Sequence, residues 1–536
     1  MTKLSKAYDY IVVGGGSAGC TLASRLSEDA SREVLLIEAG IRDSSPYIHL
    51  PVTYYKTTGP KFIWGYETAR QKFQENIVTP FTQAKVLGGG SSINAQVYMR
   101  GTPSDFDAWE KEDNCPGWGF KDVLPFYKKA EDNSRLAGEL HGSGGPLKVS
   151  DQSYTHPLTF AWLKSCQEAG LNHNDDFNSA SRGGCGLYQV TNRDGKRSSA
   201  ANCYLHPIEK RKNLTVITDV QVMRVVFENK RAVGVELKTE SSTSTVMARR
   251  EIILTAGAIG TPKIMLHSGI GAKEELQQKG ISLTADSPEV GKNFQDHLDV
   301  FMIYELSGAH SYDKYKKLHW QLWAGLQFAL FRAGPVMSNV VEGGAFWWVD
   351  QDNKHADPDV QYHFLAGAGV EAGIPDVPSG NGCTLNAYLT RPKSRGTVTV
   401  ADNDPLKAPV IDPNFLSDPD DLAKTVESIR LGRKMMSGSS MAPYLKQEHF
   451  PGSAVQSQAE LEDFVRKQAR TGYHPVGTCR MGDDAHSVVD TELRVRGVTG
   501  LRIADNSIMP RLISGNTNAT AIMIAERAAE FIRKTG

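Results

Sequence analysis

The chain has 536 residues, of which 40% are hydrophobic, and its formal net charge is −1 at pH 7. This length allows up to three or four domains with sizeable cores. No long basic or acidic run interrupts the balance of 60 basic and 61 acidic residues. Composition therefore gives no reason to expect nucleic acid or an anionic membrane surface as a partner.

The cysteines and the N-terminus bear on the cellular compartment. Seven scattered cysteines with no CxxC spacing predict neither a disulfide framework nor a zinc site, and they are typical of a reducing compartment. Residues 1–8 are polar and lack the pattern of a signal peptide. No stretch reaches the ~18 apolar residues of a membrane helix. We therefore predict a cytoplasmic protein, with peripheral association at a membrane as the alternative.

The first forty residues predict a dinucleotide-binding unit. An apolar strand at 10–13 leads into a glycine loop at 14–19, a helix follows, and a second strand ends at Glu38. Gly14 would permit a tight turn, and Gly16 would permit the close approach of a pyrophosphate. Gly19 would permit close packing of the helix on the strand. The motif alone does not distinguish FAD from NAD.

Residues around the glycine loop would complete this site. Ser17 and Ala18 open the helix, whose free N–H groups and positive dipole end favour phosphate. Glu38 is placed to accept hydrogen bonds from an adenosine ribose, with Ala39 beside it.

The rest of the chain alternates between strand-like and helical patterns. In chain order we predict strands within 213–237, a buried strand at 252–254, a helix from about Thr261 with Pro262 in its first turn, strands near 360–364 and 397–400, a strand at 501–503 and a final helix at 520–532. Apolar residues at helical spacing between Leu318 and Leu330 predict a helix that packs in a core. A membrane or partner surface is the alternative for that helix.

Three further patches carry a family resemblance. They are AKVLGGGSSIN at 84–94, GAIGTPKIMLHSGIG at 257–271, and YHPVGTCRMG at 473–482 together with GNTN at 515–518. With the N-terminal loop, they resemble the glucose–methanol–choline oxidoreductases, a family of FAD-dependent alcohol oxidisers, along the whole chain.

The resemblance implies an α/β fold in which a Rossmann-like FAD-binding domain is interleaved with an α+β substrate domain built on an antiparallel sheet. On this basis we assign residues 1–155, 210–300 and 475–536 to the FAD-binding domain. Residues 156–209 and 301–474 form the substrate-binding domain.

The resemblance also assigns the chemistry. His474 matches the family's catalytic histidine, and an imidazole is a suitable acceptor for a hydroxyl proton. Asn516 matches the second active-site position, where its amide would hydrogen-bond the substrate oxygen. Tyr473 either shapes the substrate cavity or packs. His297 is expected to be structural, near a domain junction.

For the cofactor, the resemblance places the 88–94 loop around the isoalloxazine ring and Val222 against the adenine. Some choline-oxidising relatives attach FAD through a histidine where this chain has Ile93, so the resemblance predicts non-covalent FAD. The further cofactor-binding residues expected from it are Val86, Gly88, Gly89, Ser91, Asn94, Val97, Asp505, Asn506, Thr517 and Asn518.

Within the family, the chain looks most similar to L-sorbose dehydrogenases, which implies oxidation of L-sorbose to L-sorbosone. The alternatives are a choline, polyether or aryl alcohol oxidiser, a lyase in which the flavin does no redox work, and an NAD-dependent dehydrogenase. A quinone, a dye-like acceptor or a cytochrome would reoxidise the flavin, with oxygen as the alternative acceptor.

Overall fold

The computed structural model describes residues 7–350, 352, 354, 357–369 and 374–535. Residues 1–6 lie outside the described residues. They belong to the N-terminal segment in which the sequence shows no signal-peptide pattern. Within the described part, two seven-stranded sheets each support a large buried apolar core. One sheet is mostly parallel and the other is antiparallel, as the sequence predicts.

The first sheet, the nucleotide sheet, has three parallel central strands, Val34–Ile37, Ala7–Val13 and Thr243–Leu254. Val34–Ile37 is apolar and wholly buried, and Ala7–Val13 is buried except at Ala7 and Asp9, as is typical of the centre of a parallel sheet. Its remaining strands are Leu214–Ile217 at one edge and, on the other side, Leu501–Ile503, Arg231–Lys238 and Gln221–Glu228.

Four neighbouring parallel strands of the nucleotide sheet end at the same edge. The residues that follow their carboxyl ends are Gly14, Glu38, Thr255 and, after Leu501–Ile503, the pair Ala504 and Asp505. Open α/β sheets bind ligands in the crevice outside the carboxyl ends of their strands. The topology therefore brings residues nearly 500 positions apart in sequence to one crevice.

The second sheet, the substrate sheet, is antiparallel throughout. Its strands are, in spatial order, Leu445–Phe450, Leu298–Leu306, Gly382–Leu389, Val360–Leu365, Val341–Trp347 and Gly184–Leu187, with Arg470–Thr471 also beside Leu298–Leu306. Successive side chains alternate between its two faces. Asp299, His363, Asn386 and Tyr388 share the face that lines a cavity.

The helices surround both sheets. They are Ser17–Leu26, Pro46–His49, Gly90–Ile93, Pro103–Lys111, Phe120–Ala130, Pro157–Glu168, Gly257–His267, Lys273–Gln278, Leu318–Phe331, Pro419–Met436, Gln458–Gln468 and Asn518–Thr535. Among the described residues, no helix combines the length and apolar character needed to cross a membrane.

Two sequence predictions about helices are wrong. The helix expected from about Thr261 begins at Gly257, and Pro262 lies inside it. The Asp505 carboxylate accepts the N–H of Gly257 at 2.9 Å, so a partner distant in sequence fixes the start.

The helix Leu318–Phe331 was predicted to pack in a core, and it lies on the surface instead. Ala324 is its buried residue, whereas Leu322 and Phe331 are 65% and 72% exposed. Helical spacing of apolar residues indicates a helix but does not say what covers it.

Candidate active site

A cavity of about 480 Å³ lies between the crevice of the nucleotide sheet and one face of the substrate sheet. Most residues predicted for the cofactor and the chemistry line it. These are Gly14, Gly16, Ser17, Ala18, Glu38, Ala39, Gly89, Asn94, Val97, Val222, Tyr473, His474, Asp505, Asn506, Asn516, Thr517 and Asn518.

The glycine loop that lines the cavity has the geometry that a pyrophosphate needs. Gly14 has φ +105°, and a side chain there would lie 2.6 Å from the Thr255 carbonyl oxygen. Gly19 packs so tightly that a Cβ would lie 1.9 Å from the Gly14 oxygen. Among the described residues, no side chain caps the N-terminus of the helix Ser17–Leu26, so its first N–H groups are available to an anion.

A second glycine loop packs against the first. The Gly88 N–H donates to the Gly15 oxygen at 2.7 Å, and a Cβ on Gly89 would lie 2.6 Å from the Cα of Gly16. Both Gly88 and Gly89 have positive φ. The two backbones approach this closely only because neither loop carries side chains at the contact.

Four of the predicted cofactor residues lie behind the cavity wall rather than in it. Gly19 and Gly88 form the backbone contacts just described, and Val86 packs in a small apolar cluster with Ile48. Ser91 accepts the N–H of Ala200 at 2.9 Å and donates to the Gly88 oxygen. Their positions favour support of the loops over direct contact with a cofactor.

Sequence reasoning missed Arg197, which holds the second loop in place. Its buried guanidinium donates to the Asn94 oxygens at 2.7 Å and to the backbone oxygen of Ser91 at 3.2 Å. Burial lowers the pKa of Arg197 to about 9. The loop that carries Asn94 is thus fixed by a cation whose partners are carbonyl and amide oxygens.

Glu38 lies beneath the first loop. Its carboxylate accepts the N–H groups of Gly15 at 2.8 Å and Gly40 at 2.7 Å, and burial raises its pKa to about 7. Each oxygen has a second lone pair, so these bonds leave acceptor capacity for a ribose hydroxyl.

Asp505 and Asn506 follow the last strand of the nucleotide sheet. The Asp505 carboxylate accepts bonds from Gly257, Thr261 and Ser507, which fixes the turn. The side-chain oxygen of Asn506 is buried and has no hydrogen-bond partner among the described residues. A buried acceptor without a partner is costly, and a ligand in the cavity would satisfy it.

His474 and Asn516, which also line the cavity, face each other. The His474 Nε2 lies 3.2 Å from the Asn516 Nδ2. The backbone N–H of His474 donates to the buried carboxylate of Asp296 at 2.8 Å. Asn518 has a different role, because it starts the last helix and accepts the Ser17 hydroxyl at 2.6 Å.

The hydrogen bonds of His297 define which nitrogen of His474 is free. His297 Nε2 lies 3.2 Å from the Thr390 carbonyl oxygen, an acceptor, so this nitrogen carries the proton. His297 Nδ1 is then the acceptor of the 3.0 Å bond to His474 Nδ1, which must donate. The His474 Nε2 is therefore unprotonated and presents its lone pair beside Asn516.

The pKa values agree with neutral imidazole rings at His474, His297 and His363. Burial and the rings of His297 and His363 lower the pKa of His474 well below its ordinary value. Burial lowers the pKa of His297 to about 3 and that of His363 to about 4. At neutral pH, His474 is thus a free base.

Gln361 fixes the orientation of Asn516. Its Nε2 lies 3.2 Å from the Asn516 Oδ1 and 3.0 Å from the Tyr188 hydroxyl, and its Oε1 accepts the Tyr388 hydroxyl at 2.5 Å. With its oxygen held by Gln361, Asn516 presents its N–H₂ group to His474. Sequence reasoning missed Gln361, and alternation along a strand was the available signal.

Family models described as GMC oxidoreductase match residues 8–299 and 392–525. The chain belongs to the GMC oxidoreductase family. It is therefore an FAD-dependent oxidoreductase that acts on alcohol-type donors.

Two relatives and two solved structures illustrate its place in the GMC family. It is 42% identical to an alcohol dehydrogenase [acceptor] of Pseudomonas putida, over 98% of this chain and 95% of the other. It is 38% identical to an oxygen-dependent choline dehydrogenase of Brucella anthropi with the same coverage. Pyridoxine 4-oxidase from Mesorbium loti superposes with a TM-score of 0.89, 30% identity and coverage of 98% and 99%. A formate oxidase superposes with a TM-score of 0.93 and 26% identity, over 100% of this chain and 99% of the other.

The residues present fit FAD. Three features line one cavity: two glycine loops bare of side chains, a helix N-terminus and the buried Asn506 oxygen, of which the last two have no side-chain cap and no hydrogen-bond partner within the described part of the chain. Sequence reasoning did not identify several other lining residues, among them Trp64, Gln96, Lys263, Asp299, His363, Asn386 and Tyr388.

Proposed function

We propose that this chain oxidises a primary alcohol to an aldehyde, with FAD as the hydride acceptor and His474 as the base. One observation carries the proposal. The unprotonated Nε2 of His474 lies 3.2 Å from the amide N–H₂ of Asn516, and both residues line the cavity that the glycine loop also lines. The 42% identity to an alcohol dehydrogenase supports this substrate class.

The two side chains have complementary tasks. A substrate hydroxyl between them gives its proton to the His474 Nε2, and the Asn516 Nδ2 donates a hydrogen bond to the same oxygen. That bond strengthens as negative charge develops on the oxygen. FAD, when bound, accepts the hydride that leaves the carbon. The cationic ring of His474 keeps its Nδ1–H bond to His297 throughout.

The remaining lining residues would hold the cofactor along the cavity. The N–H groups of Ser17 and Ala18 would bind the pyrophosphate, and Glu38 would accept the ribose hydroxyls. Val222 would contact the adenine. The 89–97 segment, with Asn94 and Val97, and the Asp505–Asn506 and Thr517–Asn518 pairs would hold the flavin end.

We expect the FAD to be non-covalent. Ile93 lines the cavity where a histidine linkage would form, and a hydrocarbon side chain offers no nucleophile. Acid precipitation should release the yellow colour into the supernatant. Colour that stays in the washed pellet would contradict this expectation.

A second candidate substrate class is a cationic alcohol such as choline. The carboxylate of Asp299 lines the cavity, and the chain is 38% identical to choline dehydrogenases. An Asp299→Asn variant separates the two candidates. It should lower kcat/KM for choline at least about tenfold while kcat/KM for an uncharged alcohol changes little.

The substrate test is a panel assayed with an artificial electron acceptor. It compares kcat/KM for aliphatic and aryl primary alcohols, choline and L-sorbose, which the sequence predicts. The relatives named above act, by their names, on alcohols and choline, so we expect the uncharged primary alcohols to lead. L-sorbose as the best substrate would replace our proposal with the prediction from the sequence. Peroxide release without the added acceptor would identify oxygen as an acceptor.

A further inference from the structure

The helix Leu318–Phe331, named here the apolar helix, exposes an unusual amount of hydrocarbon. It carries no charged residue. Two tryptophans and several larger aliphatic and aromatic side chains are exposed along it, namely Leu318, Trp320, Leu322, Trp323, Leu326, Leu330 and Phe331. Contiguous exposed apolar surface of this kind marks an interaction site.

The exposed residues are not confined to one narrow face. At 100° per residue they cover roughly 220° of the helix circumference. The buried side of the apolar helix is limited to Ala324 and the half-buried Gln327 and Phe328. A flat contact with a folded partner covers one face of a helix, whereas immersion in lipid covers most of its circumference. The distribution favours lipid.

Length and charge define the kind of lipid contact. Fourteen residues of helix extend about 21 Å, too short to span a hydrocarbon core of about 30 Å. Basic residues flank the apolar helix, with Lys314 and Lys317 before it and Arg332 after it. Lys316 instead forms ion pairs with Asp313 and Asp376. Acidic residues are absent from 314–334. A helix too short to span the bilayer, with basic residues at both ends, fits the plane of an anionic membrane interface, where those basic residues meet the lipid headgroups.

The apolar helix is continuous with the rim of the cavity. Phe328 packs at Gly195, beside Met337 in the short turn Pro335–Met337. That turn packs on the 3₁₀ helix Pro51–Thr57, whose Tyr54 and Tyr55 line the cavity. Tyr55 is 42% exposed.

We propose that the apolar helix is an in-plane membrane anchor that binds anionic lipid and places the rim of the cavity at the bilayer surface. Trp320 and Trp323 insert at the level of the headgroups, and Leu322, Leu326 and Leu330 reach the acyl boundary. Apolar alcohols could then reach the cavity from the lipid. That consequence rests on the proposed function, whereas the lipid binding does not.

The test is sedimentation of the FAD-loaded enzyme with vesicles of phosphatidylcholine and phosphatidylglycerol in equal amounts. A triple variant, Leu322→Gln, Trp323→Gln and Leu326→Gln, should lower the partition coefficient at least about tenfold. The matched control replaces Phe160, Leu283 and Leu406 with Gln. These are exposed apolar residues outside the apolar helix, and the control should bind as wild type does. FAD absorbance verifies folding of every variant.

Charge and depth give independent readouts. Replacing Lys314, Lys317 and Arg332 with Gln should weaken binding to the mixed vesicles but not to phosphatidylcholine alone. Brominated lipid should quench tryptophan fluorescence in wild type more than in a Trp320→Phe, Trp323→Phe variant.

Absence of vesicle binding by wild type would overturn the proposal, as would unchanged binding by the triple variant. Light scattering tests the remaining possibility, which is that a second copy of the chain covers the apolar helix. A dimer that the triple variant dissociates, without vesicle binding, would assign the apolar helix to a second copy of the chain. None of these outcomes depends on alcohol oxidation, so failure of the anchor and failure of the proposed function are distinguishable.

Discussion

A chain of hydrogen bonds prepares His474 for proton transfer before any substrate binds. The Thr390 carbonyl determines the tautomer of His297, and His297 determines that of His474. The carbonyl oxygen of Thr390 therefore determines, through His297, that the lone pair on His474 Nε2 is free. We infer that His297 is a positioning residue, which acts through His474 rather than on the substrate.

Removing His297 tests this role. His297→Ala leaves the His474 Nδ1–H without its acceptor, so the ring can rotate or change tautomer, and kcat/KM should fall at least about tenfold. In His297→Asn, the side-chain oxygen can accept the same bond, so part of the loss should be recovered. Equal losses in both variants, with FAD absorbance retained, would assign His297 a purely structural role.

The pH dependence follows from the lowered pKa of His474. A base must be unprotonated, and burial with two neighbouring rings keeps His474 neutral below its ordinary pKa. The acidic limb of the kcat/KM profile should thus lie below pH 6.5, the ordinary value. His297→Asn removes one of the causes of this lowering, so the limb should move to higher pH. A limb above pH 6.5 in wild type would contradict the assignment of His474 as a neutral base.

At the scale of elements, the two glycine loops form one unit. Their backbones touch at Gly15, Gly16, Gly88 and Gly89, and the first helix packs on the loop at Gly19. A Cβ atom added at Gly19 or Gly89 would lie well below the ordinary van der Waals distance from a backbone atom, so side chains are excluded at these contacts. The loops therefore depend on each other for their shape.

Adding one methyl group in the loop tests that dependence. Gly19→Ala places a Cβ 1.9 Å from a backbone oxygen, so the helix must shift, at a cost of about 2–4 kcal/mol in the free energy of unfolding. FAD affinity should fall with it. Gly59→Ala is the control, because nothing lies within 4 Å of its Cβ, and denaturant unfolding should show little change. Indistinguishable stabilities would refute the packing argument.

Local patterns predicted some elements and not others, for physical reasons. The buried run at 252–254 and the glycine loop at 14–19 carry their own signals, and both were confirmed. The start of the helix at Gly257 depends on Asp505, which is nearly 250 residues away in sequence. The exposure of the apolar helix depends on whether elements distant in sequence pack over it. Neither dependence is visible in a local window.

At the scale of the whole molecule, the cavity is an interface between the two sheets. The nucleotide sheet contributes the crevice with Gly14, Glu38 and Asp505, and the substrate sheet contributes one alternating face. Family motifs predicted the first set and the His474–Asn516 pair. Alternation places Gln361 and His363 on one face of their strand, but the approach of Asp299 and Asn386 to that face depends on the register of neighbouring strands, which no local pattern predicts. The proposed domain boundaries stay a prediction, although the nucleotide sheet's strands fall within 1–155, 210–300 and 475–536.

The most direct test of the central claim is anaerobic reduction of the bound flavin by a primary alcohol, followed by absorbance. Wild type should bleach, and a variant with His474→Ala should keep its FAD but bleach at least about a hundredfold more slowly. Bleaching of the variant at the wild-type rate would remove His474 from its role. Failure of every alcohol in the panel to bleach wild type would contradict alcohol oxidation itself.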